Sequence, residues 1–147
     1  MSENLKIKIK KIKENAIIPS YAHEDDAGVD LYSTEDYVLN PGQRVLVSTG
    51  IRIAIPLGYE GQTRPKSGLA LNYGISICNS PGTIDSGYRG EVRVIVINHG
   101  NEEFKIIKGM KIAQMIFNKV EKAEFEEVEE LDDTKRGESG FGSTGLN

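Results

Sequence analysis

The sequence predicts an all-β sandwich or barrel, on three observations. Apolar and polar residues alternate with a period of two in several short runs. The apolar positions are rich in Ile and Val, whose branched side chains suit a pleated surface. Turn signals bearing Gly and Pro, at Asn40-Pro41-Gly42, Ser80-Pro81-Gly82 and His99-Gly100-Asn101, cut the chain into short segments. Many short strands with such punctuation indicate two packed sheets or one closed sheet.

Element by element, LKIKIKKI places Leu5, Ile7 and Ile9 on one face and lysines on the other, the pattern of a half-buried strand. VLVSTG-IRIAI, from Val45 to Ile55, reads as two short strands broken at Gly50. SGLALNYG differs. Ser67 reads as an N-cap, the apolar Leu69 and Leu71 follow, and Gly74 can stop the turn, so one short helix is expected near residues 67–73. YGISIC is a further short strand. EVRVIVIN, from Glu91 to Asn98, is rich in β-branched residues, and NHGNEEF then supplies a hairpin-like turn before KII. KIAQMIFNKVEKAEFEEVEEL could be helical by propensity, but its partial alternation favours strands. The ending RGESGFGSTGLN has no hydrophobic period and cannot bury enough surface to fold alone. The expected division is a β domain over residues 1–133 and a flexible arm over residues 134–147, in which a solitary Arg136 and a solitary Phe141 need explaining.

A chain of 147 residues fits one domain and can bury a real core. With 38% hydrophobic and 27% charged residues it has the composition of a soluble globular protein. The net charge of −4 argues against a nucleic-acid polymer as partner but leaves a nucleotide open, since a few local donors can hold a triphosphate. The single cysteine, Cys78, cannot form an internal disulfide and reads as a small buried residue in a reducing compartment. The N-terminal lysines flank no continuous apolar core, and no stretch is long enough to span a membrane, which points to the cytoplasm.

Three stretches carry chemistry. Gly61 to Ser67, GQTRPKS, nearly matches the phosphate-binding pattern G-x-x-x-x-G-K-S. It fails at Pro65, which has no N–H to offer a phosphate and cannot take a positive φ. Arg64, Lys66, Ser67 and the N–H groups opening the helix can still make an anion site, or simply a charged, capped turn. Asn79 to Glu91, NSPGTIDSGYRGE, holds Asp85 among small turn residues. A carboxylate there can orient and deprotonate a water, Tyr88 offers a flat ring, and Asn79 can read a pyrimidine edge, though each is also ordinary in a β-turn. Asp25 to Ser33, DDAGVDLYS, lacks calcium-loop spacing, and its charges, with His23 and Glu24 nearby, read as a solvated loop rather than a zinc site. Asp30, between Val29 and Leu31, should enter the core and needs a partner there, and an arginine is the expected one.

Taken in order, AGVDLYS, RPKSGLA, NSPGTIDSGYRGE, KGMKIAQMIF and RGESGFGSTG resemble the five motifs of the trimeric deoxyuridine triphosphate nucleotidohydrolases, the dUTPases. The resemblance runs from Ala27 to Gly145. It implies a distorted jelly-roll assembled as a homotrimer, with sites between subunits and each tail closing as a lid over a neighbour's site. It implies hydrolysis of dUTP to dUMP and pyrophosphate by water attack at the α-phosphate, with Mg²⁺ held by the substrate's phosphates rather than by the protein. Such a reaction removes dUTP and supplies dUMP for thymidylate synthesis.

The same resemblance implies residue roles. Asp30 is the acid of the first motif, near the metal-water network. Arg64, Lys66, Ser67 and Gly68 meet the phosphate chain. Asn79 and the backbone of Gly82, Thr83 and Ile84 read uracil. Asp85 binds the 3′-hydroxyl and holds the attacking water. Tyr88 packs under the deoxyribose and excludes a 2′-hydroxyl, and Gln114 serves the α-phosphate and the water. Arg136 reaches the γ-phosphate, Phe141 covers uracil, and Gly142, Ser143 and Thr144 meet phosphates. The chain departs from the family pattern at Lys66, more often arginine; at Gly87, where many members carry an acid; and at Ser139, often glycine. Lysine keeps the charge of arginine but loses its fork. Two other readings compete. A dCTP deaminase of the same fold needs a glutamate beside the base, and the sequence assigns none. A catalytically silent nucleotide binder is argued against by the intact Asp85.

Overall fold

The computed structural model describes residues 4–147, which form ten strands and one short helix. One antiparallel sheet runs in the order β1 (Lys8–Lys11), β4 (Arg44–Ala54), β8 (Glu91–Asn98), β6 (Ile75–Ile77). A second antiparallel sheet runs β2 (Val29–Tyr32), β10 (Lys111–Lys119), β5 (Tyr59–Arg64), β7 (Gly82–Ile84). A two-stranded ribbon joins β3 (Tyr37–Leu39) to β9 (Phe104–Ile106), and α1 (Ser67–Tyr73) follows β5. The expected all-β fold with one short helix is what the chain adopts.

The period of two decides which faces meet. In β8, Val92, Val94, Val96 and Asn98 are buried, while Arg93 faces solvent. The three valines pack with Leu31, Val47, Ile51, Ile106, Ile112 and Met115 in one continuous core. Asn98 is a wholly buried polar group, and it is satisfied: its amide donates to Leu39 O at 2.9 Å and Glu102 O at 2.8 Å, and its oxygen accepts from Gly100 N at 2.8 Å. Those bonds fix the exit of β8 against β3, as buried polar groups must be paired.

Several local expectations are corrected. The run from Val45 to Ile55 is one long strand rather than two. Gly50 does interrupt it, at φ +71°, but as a bulge: the β4–β8 register shifts between Ser48 and Arg52 while the strand continues, paired with β1 on its other edge. The segment after His99 is not a hairpin, because β9 turns away from β8 to pair with β3. The strand over Lys111–Lys119 is present, but residues 120–131 form none. Their apolar side chains find no core among the described residues: Phe125 is 94% exposed and Leu131 84%. Gly74 stops α1 as expected, at φ +70° with its N–H donated back to Ala70 O and Leu69 O. Ser67, however, is the first helical residue; the cap position is Lys66, and no side chain bonds there. Cys78 is exposed rather than buried, because alternation along β6 turns Ile75 and Ile77 inward and carries the next residue out.

Candidate active site

The second sheet lays out three of the expected residues on one rung. Gln114 on β10 is the register partner of Asp30 on β2 and of Arg64 on β5. Side chains directly opposite across antiparallel strands share a face, so an acid, an amide and a guanidinium stand in a row. Gln114 folds over Gly28, where a Cβ would come within 2.6 Å of its Oε1, and its Nε2 donates to Pro65 O at 2.9 Å. That bond ties β10 to the turn that delivers Lys66 and Ser67. Arg64 donates from Nε and Nη2 to Gln62 Oε1, at 3.1 and 2.8 Å, which spreads its fork along the sheet.

Asp30 is buried and does find a partner, but not an arginine. Lys66 Nζ donates to its Oδ1, and Lys111 Nζ lies 3.4 Å from its Oδ2. Burial pushes the carboxyl pKa up, yet the hydrogen bonds and charges of Lys66 and Lys111 together outweigh it and hold Asp30 below the usual carboxylate range. Both lysines keep substantial exposure, so their charges stay available to an incoming anion. Ser67 and Gly68 are exposed at the start of α1.

The third motif forms a separate cleft of ≈ 210 Å³ lined by Asn79, Gly82, Thr83, Ile84, Asp85 and Tyr88. Antiparallel pairing with β5 sets its floor, Thr63 opposite Gly82 and Gly61 opposite Ile84. Only glycine fits at position 82, where a Cβ would lie 2.1 Å from Thr63 Oγ1. The strand ends at Ile84, so Asp85 emerges exposed at the rim, and Tyr88 N donates back to Asp85 O at 3.1 Å to close the turn. Tyr88 Oη donates to Glu91 O at 2.8 Å. Thr63, Glu91 and Arg93 also line this cleft, and none of them has a role among those the motifs imply. Only the outward phase of Glu91 and Arg93 along β8 hinted at them.

Neither Arg64, Lys66, Ser67 nor Gln114 lines that cleft, and the tail does not either. Tail hydrogen bonds run within the tail: Arg136 Nε donates to Ser139 O at 2.9 Å, Gly137 N to Thr134 Oγ1 at 3.1 Å, and Ser143 N to Gly140 O at 3.2 Å. Phe141 is wholly exposed with φ +52°, and Gly142 beside it takes φ +85°. One chain thus holds the expected site as three groups: the Asp30–Gln114–Arg64 rung with Lys66, the Asp85 cleft, and the tail. Among the described residues no three His, Cys, Asp or Glu gather as metal ligands, and His23 meets only Asp26, at 3.2 Å. No helix of the described residues is long and apolar enough to cross a membrane.

The dUTPase family model matches residues 14–145. The chain belongs to the dUTPase family. A deoxyuridine 5′-triphosphate nucleotidohydrolase of Clostridium tetani is 55% identical over 139 residues, covering 95% of this chain and 96% of the relative. Among solved structures, a variant of Staphylococcus bacteriophage 80alpha dUTPase with dUpNHpp superposes with TM-score 0.89 at 28% identity, covering 96% of this chain and 99% of that one. A dUTPase variant from phage phi11 of S. aureus, described with a structural Mg(II) ion, gives TM-score 0.80 at 26% identity over 85% of this chain and 97% of that one. The jelly-roll expected from the motifs is therefore the family fold. Against that family background Glu91 matters twice. It is the glutamate that lines the Asp85 cleft, and its Oε2 is already taken by Ser48 Oγ and Gly50 N. A carboxylate so engaged is poorly placed to activate water for deamination.

Proposed function

We propose that this dUTPase family member hydrolyses dUTP to dUMP and pyrophosphate, with a water held by Asp85 attacking the α-phosphate. The observation that carries the reading is the cleft itself: an exposed carboxylate at the rim, an amide at Asn79 and a ring at Tyr88, on a floor kept open by Gly82. Asn79 and the backbone of Gly82, Thr83 and Ile84 bind uracil. A site that hydrogen-bonds uracil leaves polar groups unpaired when cytosine enters, and this is a strong form of discrimination. Tyr88 underlies the sugar and rejects a 2′-hydroxyl by shape. The Asp85 carboxylate at the rim can accept a proton from the attacking water.

Phosphoryl chemistry needs positioning and charge neutralisation more than covalent help. Arg64, Lys66, Ser67, Gly68 and Gln114 supply the donors for the phosphate chain, and Arg136, Gly142, Ser143 and Thr144 add to them from the tail. Mg²⁺ supplies further neutralisation when it arrives on the triphosphate. Both oxygens of Asp30 already face lysines, so the substrate's phosphate oxygens, rather than that carboxylate, would hold the metal.

A homotrimer with shared sites accounts for the separation of the three groups within one chain. It also gives the exposed Phe125, Val128 and Leu131 a partner surface. Residues 134–147 then act as an arm that closes over a neighbouring chain's site, Phe141 on uracil and Arg136 on the γ-phosphate. The glycine-rich arm has little to hold it shut without ligand, so it can release product. In the cytoplasm, where a lone exposed thiol stays reduced, the reaction removes dUTP and supplies dUMP for thymidylate synthesis.

The test is incubation with dUTP, dCTP, dTTP or UTP in Mg²⁺, with pyrophosphate and ammonia both measured. Pyrophosphate from dUTP alone is expected. Ammonia from dCTP would overturn the hydrolase reading, and dUTP binding without turnover would make the protein a silent binder.

A further inference from the structure

Glu91 opens β8 and lines the cleft, but its side chain is committed elsewhere. Its Oε2 accepts hydrogen bonds from Ser48 Oγ and, at 2.9 Å, from Gly50 N. This happens where the β4–β8 ladder is interrupted: regular pairing ends at Ser48–Arg93 and resumes at Arg52–Glu91, with Gly50 in the gap at φ +71°. A bulge leaves its extra residue without a ladder partner, and a buried N–H needs one. The Glu91 carboxylate provides it. The main chain of the same residue faces the site, where Glu91 O accepts the hydroxyl of Tyr88 at 2.8 Å. The Tyr88 ring lies over Gly90, where a Cβ would come within 2.4 Å of that hydroxyl. An exposed tyrosine on a loop would otherwise exchange rotamers freely; here its far end is pinned.

We infer that Glu91 is a positioning residue for sugar recognition: by fastening its own backbone to the Gly50 bulge, it fixes the carbonyl that holds the Tyr88 ring in place. The inference rests on the reading of Tyr88 as the surface that refuses a 2′-hydroxyl. It assigns Glu91 no contact with substrate and no part in proton transfer.

The test is the ratio of kcat/KM for dUTP to that for UTP, measured on the full-length protein. Glu91→Ala and Tyr88→Phe should each lower the ratio about tenfold, the size of one hydrogen bond's worth of ordering. The double variant should lose no more than either alone, because both break the same link. Glu91→Gln should keep the ratio, since both bonds fall on one oxygen that an amide also offers. An unchanged ratio in Glu91→Ala, full additivity in the double variant, or equal loss in Glu91→Gln overturns the assignment. If Glu91→Ala does not fold, Tyr88→Phe and Glu91→Gln decide it: a ratio unchanged in the first or lost in the second has the same force. Tyr88→Ala separates the two layers. If it leaves the ratio unchanged, the reading of Tyr88 fails. If it relaxes the ratio while Glu91→Ala does not, only the role of Glu91 fails.

Discussion

Lys66 reaches back from the turn before α1 to donate to Asp30 on β2, and the pair is closed on the acid's side and open on the amine's. Lys111 takes the other carboxylate oxygen from the head of β10. A single arginine fork would cover both oxygens at once; here two lysines divide the task, and each keeps donors for a phosphate.

Acid should dissolve this cluster. The Asp30 pKa is lowered on folding, so the cluster stabilises the protein above the unfolded value near ~3.9 and loses that contribution as pH falls through the lower folded value. Asp30→Asn should cost about 1–2 kcal/mol near neutrality, at the low end for a partly exposed network. The difference from the parent protein should vanish towards pH 2. Urea unfolding at several pH values measures it, and a pH-independent difference would contradict the ion-pair account.

Replacement of the rim carboxylate separates binding from chemistry. Asp85→Asn should lower kcat by about 10²–10⁴ while nucleotide still binds, because the amide fills the space but accepts no proton. Pyrophosphate release and calorimetric titration with a non-hydrolysable dUTP analogue check the two halves. Near-normal kcat would remove Asp85 as the base.

The floor of the cleft is sterically tuned. Gly82→Ala forces a methyl group against Thr63 Oγ1, a clash in β-sheet packing that should cost about 1–3 kcal/mol. Adding Thr63→Ala to that background should restore part of the loss, since it removes the atom that is struck. Thermal unfolding of both variants is the measurement; no recovery in the double variant would mean that the strain lies elsewhere.

Removal of the arm tests its independence from the core. A chain ending before Arg136 should unfold at a Tm close to that of the full chain, because the tail's hydrogen bonds run within itself and Phe141 is wholly exposed among the described residues. Turnover should fall at least tenfold. A large drop in Tm would make the arm structural.

What the sequence made legible were features encoded within a few neighbouring residues. The alternation of β8 and the glycine stop at Gly74 are of this kind, and so are the five ordered motifs. What it hid depends on distant partners. Gly50 reads locally as a break, but pairing with β1 carries β4 straight through it. Residues 120–131 alternate like a strand, but alternation forms a strand only where an edge receives it. Asp30 announced a buried carboxylate without saying which cation, because Lys66 and Lys111 reach it from two other strands' ends. Glu91 looked like one more polar strand residue, since its partners Ser48 and Gly50 lie far off in sequence.

The placement of the Asp85 cleft away from the Arg64–Gln114 rung has a genetic consequence. If each working site borrows the cleft of one chain and the rung of another, two different dead proteins can rescue each other. An Asp85→Asn chain still carries a sound rung, and a chain crippled at Arg64 still carries a sound cleft. Unfolded together and refolded as mixed assemblies, they should regain a fraction of activity that neither shows alone, and alleles of this gene should complement in pairs that follow the geometry of the sheet.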